Sequence, residues 1–110
     1  MKPFILFNVP KEFSRFCGGR KKDHGPYSGQ EFWETVTRPL LAEFESIVFE
    51  LTGGTAYSSG FLDEAFGEIG RVIGLREAKR RIKILAEDDA LAVATAWERI
   101  KEASEEAHAQ

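Results

Sequence analysis

Three short β-rich runs alternate with stretches of helical spacing along this chain, and that alternation constrains its fold more than any other feature. The first run, Phe4-Ile5-Leu6-Phe7-Asn8-Val9, is apolar between Pro3 and Pro10 and reads as a buried strand. The second, Ser46-Ile47-Val48-Phe49-Glu50-Leu51, is closed by Thr52-Gly53-Gly54. The third, Ile82-Lys83-Ile84-Leu85-Ala86, alternates and then turns apolar. Between the first two runs, Ser28-Gly29-Gln30-Glu31 fits a capping box, and Phe32, Val36, Leu40, Leu41 and Phe44 follow on one helical face. Pro39 deletes the hydrogen bond to the Thr35 carbonyl, so a kink or break is predicted there. Ser58 or Ser59 caps a second helix, with Phe61, Leu62, Ala65, Phe66, Ile69, Val72 and Ile73 inward and Gly70 and Gly74 marking its end. Asp88 or Asp89 caps the last helix, with Leu91, Ala94, Trp97 and Ile100 inward.

The order strand, helix, strand, helix, strand, helix describes a small α/β layer fold with right-handed crossovers. At 110 residues the chain holds one domain, 1–110, with its core over about 4–100 and a frayed helical tail at 101–110. No internal repeat or low-complexity tract is evident. In such sheets the loops leaving the carboxyl ends of the strands form the usual working surface. The Gly-rich loop after the first strand and the Tyr57-Ser58-Ser59-Gly60 turn are the candidates for that edge.

Composition removes several function classes. An apolar fraction of 43% argues against disorder, and no apolar run approaches the roughly 20 residues of a membrane span. Met1 to Val9 lacks the n-region and cleavage site of a secretory signal, so a reducing cytoplasm is the expected compartment. Cys17 is the single cysteine, and with only His24 and His108 it makes no zinc set; no metal or cofactor is expected. The net charge of −3 conceals segments: +4 over residues 1–26, −7 over 27–70 and balance over 71–110, where Arg71–Lys83 alone is +5. Overall acidity disfavours nucleic acid as a partner, while local basic patches suit an anionic group or an acidic protein.

Four constellations and one lone cysteine invite chemistry, each set against a plainer reading. Ser58 and Ser59 stand at a helix start, where free amides and the helix dipole favour a phosphoryl group; the plainer role is N-capping. Asp63 and Glu64, in the first turns of that helix, suit a partner's arginine or acid–base work; the plainer role is complementing the dipole. Arg20, Lys21 and Lys22, with His24 nearby, suit a phosphate, although no P-loop or dinucleotide fingerprint accompanies them; the plainer role is a solvated loop. Arg76, Lys79, Arg80, Arg81 and Lys83 suit nucleic acid, although no helix-turn-helix or aromatic-interleaved sheet signature accompanies them; the plainer role is a solvated face, where lysine also guards a strand edge. Arg15 and Arg20 flank Cys17 and favour its thiolate, but no partner cysteine or base supports a nucleophile.

Taken together, Gly25-Pro26-Tyr27-Ser28-Gly29-Gln30-Glu31-Phe32, Pro39-Leu40-Leu41, Ile47 to Gly53 and Ser58-Ser59-Gly60-Phe61-Leu62-Asp63-Glu64-Ala65-Phe66-Gly67 resemble a bacterial STAS-like domain family of unknown function. The resemblance covers about residues 4–100, and its most specific part is the stretch beginning at Ser58. The expected architecture is therefore a single small STAS-like α/β domain, with a central sheet of about four strands and helices packed on it. That family is distantly similar to anti-sigma-factor antagonists, in which Asp-Ser-Ser-Gly opens a helix and a kinase of histidine-kinase-type ATP fold phosphorylates the first serine. The resemblance thus implies Ser58 as phosphoacceptor, with Ser59 as the adjacent candidate; Tyr57 departs from the pattern by standing where the aspartate is usual. It also implies a protein partner, either such an ATPase or a regulator under its control, and no enzymatic activity.

The leading expectation is a non-enzymatic regulatory module that docks a partner through Tyr57, Gly60, Asp63 and Glu64, with Ser58 as the switch. The alternative is a small-ligand or nucleotide-binding domain using the basic Gly-rich loop 15–29. An enzyme built on Asp63 or Glu64 with His24 is the third, without a nucleophile–base pair at a diagnostic spacing. The oligomeric state is left open by the sequence.

Overall fold

Each β-rich run becomes a strand of one parallel sheet: β1 (Lys2–Asn8), β2 (Phe44–Glu50) and β3 (Ile82–Leu85), hydrogen-bonded in the order β1-β2-β3. The computed structural model from which this architecture is taken describes residues 1–108. The register sets Ile5 beside Ile47 and Phe7 beside Phe49, and carries both rows on to Ile82 and Ile84. These side chains form the floor of the core, and the helices cover them. The sheet has three strands among the described residues, where about four were expected. After β3 the chain turns at Asp89, whose Oδ1 accepts from the Ala92 amide at 3.0 Å, and enters a helix that packs on another helix. The first run was expected to be buried, yet Phe4 is 55% and Leu6 49% exposed, and Ile5 and Phe7 on the core side are half-buried.

The two crossovers share a plan that simple inspection of the sequence for repeats did not reveal. The first runs through α1 (Val9–Glu12), the Gly-rich loop, α2 (Gly29–Phe32), a five-residue π turn (Trp33–Thr37) and α3 (Arg38–Glu43). The second runs through α4 (Ser59–Leu62), a five-residue π turn (Asp63–Gly67) and α5 (Glu68–Arg81). Each helical part follows a Tyr-Ser pair, and Ser28 and Ser58 cap their helices alike, accepting from the amides of Glu31 at 3.1 Å and Phe61 at 3.0 Å. The kink predicted at Pro39 takes the form of the first π turn, in which the Arg38 amide bonds the Trp33 carbonyl ahead of the proline. Buried Thr37 ties the two π turns together, its hydroxyl donating to the Ala65 carbonyl at 3.0 Å.

The second helix runs through Gly70 and ends at Gly74, one of the two glycines expected to stop it, where φ is 81°; a further helical stretch then continues to Arg81. The Leu75 amide freed by that break donates to Ser104 Oγ at 3.0 Å, on α6 (Ala90–His108). Arg81, expected on a solvated face, instead donates to the carbonyls of Leu41 (2.8 Å), Phe44 (2.7 Å) and Glu45 (3.0 Å), which closes the C-terminal end of α3.

The inward face of α6 is also displaced from the expected one. Ala92, Ala96, Ile100 and Ala103 are buried, whereas Leu91 is 76% exposed, Ala94 is exposed and Trp97 is half-buried. Gly70 explains the choice of alanines: a Cβ there would lie 2.0 Å from the Ile100 carbonyl oxygen, so α5 and α6 meet backbone to backbone. The tail expected to fray from 101 is packed through Ala103 and Ser104, and Ala109 and Gln110 lie outside the described residues.

Gly70→Ala is expected to lower unfolding stability by about 1–3 kcal/mol through overpacking, the reverse of the gain of about 1 kcal/mol that alanine brings to an open helix. Urea denaturation of both proteins measures it.

Candidate functional site

Because the strands are parallel, the loops after β1, β2 and β3 all emerge at one edge, and hydrogen bonds tie them into a single surface. The Thr55 amide and hydroxyl both donate to the Arg15 carbonyl at 2.9 Å. The Gly53 amide donates to Asp88 Oδ2 at 3.1 Å, and the Glu87 amide to Thr52 Oγ1 at 2.9 Å. The Gly-rich loop then crosses the start of α2, where the Gly19 and Arg20 carbonyls accept from the amides of Gly29 (2.8 Å) and Gln30 (2.9 Å). Those amides, which a phosphate at this helix start would need, are already satisfied. The capping box closes one residue early: Glu31 accepts from the Tyr27 amide at 2.9 Å, and Tyr27 takes a φ of 56° to present it.

The starts of α2 and α4 lie side by side, since a Cβ on Gly29 would come within 2.6 Å of the Phe61 carbonyl oxygen and 2.7 Å of Glu64 Cβ. This close approach brings carboxylates of both crossovers under the basic loop. Arg20 pairs with Asp63 and lies 3.8 Å from Glu64, Lys21 Nζ lies 3.0 Å from Glu64, and Lys22 Nζ lies 2.8 Å from Glu34. Arg20 and Lys21, proposed for an anion, and Asp63 and Glu64, proposed for a partner, thus neutralise one another within the chain, and Glu34 takes up Lys22. The bond from Lys22 holds the Glu34 carboxyl below its ordinary range, and Glu34 raises Lys22 in turn.

Ser58 remains exposed at this edge. Its hydroxyl accepts from the Phe61 amide and reaches the Gly18 carbonyl only at 3.4 Å, long for a hydroxyl donor. Ser59 is exposed beside it and lines a cleft of about 270 Å³ with Tyr57, Leu62, Asp89 and Leu91. Tyr57 turns inward, donating its phenol proton to the Leu51 carbonyl at 2.8 Å, and burial raises its pKa. Gly60 lies under Arg20. Burial pushes the Cys17 thiol up to about 12, against the depression expected from Arg15 and Arg20. His24 sits in the short 3₁₀ turn Lys22–His24, exposed. Among the described residues, no three His, Cys, Asp or Glu side chains gather as metal ligands, and no helix is long and apolar enough to cross a membrane.

A family model described as a STAS-like domain of unknown function (DUF4325) matches residues 28–91. The chain belongs to this family. Comparison with curated proteins and with solved structures finds no match. The matched part of this STAS-like domain begins at the Ser28 cap and contains both π turns, β2, β3, Ser58 and the carboxylates Glu34, Asp63 and Glu64. The cations that hold those carboxylates, Arg20, Lys21 and Lys22, precede it.

Sequence reasoning placed Asp89 as a cap but missed Thr55 and Leu91 at this edge, as well as the pairing of the basic loop. The signal available for the pairing was the charge sum, +4 before residue 27 and −7 over 27–70.

Ser28→Ala, which leaves a buried capping position without its acceptor, is expected to cost about 1–2 kcal/mol, and Ser58→Ala, where water replaces the cap, about 0.5 kcal/mol; chemical denaturation compares them. The Glu34 contribution is present above its unfolded pKa and is lost as pH falls through the lowered folded one, whereas that of Lys22 is lost as pH rises through its raised value. Lys22→Met is therefore expected to move the Glu34 midpoint up toward the ordinary carboxylate range in an NMR titration.

Proposed function

We propose that this STAS-like domain is a non-enzymatic protein-interaction module that docks a regulatory partner at its loop edge, with phosphorylation of Ser58 as the switch. One observation carries the reading: Ser58 presents an exposed hydroxyl, weakly engaged as a donor, at the start of α4, beside Arg20, Lys21, Asp63 and Glu64, which are already paired. A phosphate there would meet Arg20, which lies over Gly60 and is shared between Asp63 and Glu64. Drawing Arg20 away would loosen the loop from the helix starts, and the added charge would face those carboxylates. The Ser59 cleft between Tyr57 and Leu91 offers a seat for one apolar side chain of the partner. A kinase of the histidine-kinase-type ATP fold, or a regulator under its control, fits this role. Nucleotide binding by loop 15–29 is the weaker reading, because Arg20, Lys21 and Lys22 would first have to leave their carboxylates.

Phosphopeptide mapping of protein purified gently from its native host is expected to place phosphate on Ser58. A partner recovered by crosslinking from the same cells is expected to bind Ser58→Asp at least about tenfold more weakly than Ser58→Ala, a difference of about 1.4 kcal/mol. The two variants are expected to differ by no more than a few degrees in Tm. Equal binding of the two variants would defeat the switch.

A further inference from the structure

The sheet has a second face that the helices leave open. Phe4 and Leu6 of β1 and Leu85 of β3 point away from the core with 55%, 49% and 42% of their surface exposed, and Val48 of β2 lies between them, half-buried. The register places Leu6 beside Val48, Val48 beside Lys83 and Leu85 beside Glu50, so Phe4, Leu6 and Val48 form an apolar patch over β1 and β2, with Lys83 at its β3 side and Leu85 diagonal to Val48. All-parallel sheets ordinarily have both faces covered, and their strands are then apolar throughout, which is the composition of β1. A shallow groove of about 220 Å³ runs beside the patch, with Phe4, Ser46 and Val48 as its floor and Lys79, Arg80 and Lys83 on its wall.

Charge decides what fits. Arg80 is held by Glu45 and Glu77, but Lys79 and Lys83 pair with no carboxylate among the described residues, and the one acid on this face, Glu50, is turned to the Thr52 amide at 2.9 Å. A second copy laid on this face would bring two more unpaired lysines and no strand carboxylate on this face besides its own Glu50. With strands about 4.8 Å apart, the sheet is about 10 Å wide between its outer strands, the diameter of one helix. We propose that this open face seats a single amphipathic helix of a partner protein, with an apolar stripe against Phe4, Leu6, Val48 and Leu85 and acidic residues toward Lys79 and Lys83. This surface is separate from the Ser58 edge, so variants at Ser58 are expected to leave it unchanged.

The test uses the isotope-labelled chain and two synthetic helical peptides of about 15 residues, each with leucines at i, i+3, i+4 and i+7, one flanked by glutamates and one by lysines. The glutamate peptide is expected to shift the amide resonances of Leu6, Val48, Lys83 and Leu85 and to bind at least about tenfold more tightly than the lysine peptide. The double variant Lys79→Glu, Lys83→Glu is expected to reverse that preference, and Leu6→Gln to weaken both peptides. If Leu6→Gln proves unfolded by circular dichroism, the charge reversal alone decides. The proposal is overturned if neither peptide shifts this face at about 1 mM, if both bind equally, or if the shifts fall elsewhere. It is also overturned if the free chain buries this face by self-association in sedimentation velocity, or if phosphatidylserine vesicles shift it while the glutamate peptide does not.

Discussion

The ring of Phe32 touches Phe7 and Phe49 on the sheet, Phe13 after α1, and Phe61 and Phe66 on the second crossover, at centroid distances of 4.9 to 6.0 Å. One side chain from the first crossover thus fixes the spacing between both crossovers and the strands beneath them. Most of these contacts are edge-on or tilted, the arrangements that favour the ring quadrupoles. The cluster lies directly beneath the two capping serines, so the geometry of the loop edge follows from aromatic packing below it. Gly29 and Thr37 complete the arrangement by letting α2 approach α4 and by joining the two π turns.

The charges around the loop act differently from the core. Arg20, Lys21 and Lys22 are about half exposed, so their pairs contribute little stability and are weakened by salt. What they do is orient: they hold a Gly-rich segment across two helix starts that lie side by side. The backbone bonds from Gly29 and Gln30 to that segment set its path, and the ion pairs set which way its side chains face. Binding at this edge therefore acts on an assembled surface.

What could be read from the sequence was local. Both serine caps, all three strands and the perturbation at Pro39 were legible, because each depends on residues within a turn or two of one another. The π turns were not, since a single inserted residue per turn leaves the apolar spacing almost unchanged. The helix after Gly74 was hidden because its first amide is satisfied from Ser104, far along the chain. Leu91 and Val72 were assigned inward by periodicity, yet contact between α5 and α6 at Gly70 admits only small residues and turns α6 to its alanine face. At the candidate site, Ser58 was legible from its motif and its family resemblance. The pairing of Arg20 with Asp63 and of Lys21 with Glu64 was not, because it arises only once the helix starts are adjacent.

The order of the strands in the sheet is also their order in the chain, and this governs how the molecule can be assembled as it is made. β1 needs only the first crossover and β2 to find its neighbour, and no later segment must slip between strands already joined. The second crossover then closes over Phe32 and Phe49, and α6 comes last onto α5. A ribosome delivering this chain from its amino end would release each layer onto a surface already waiting for it, with no completed pairing to undo.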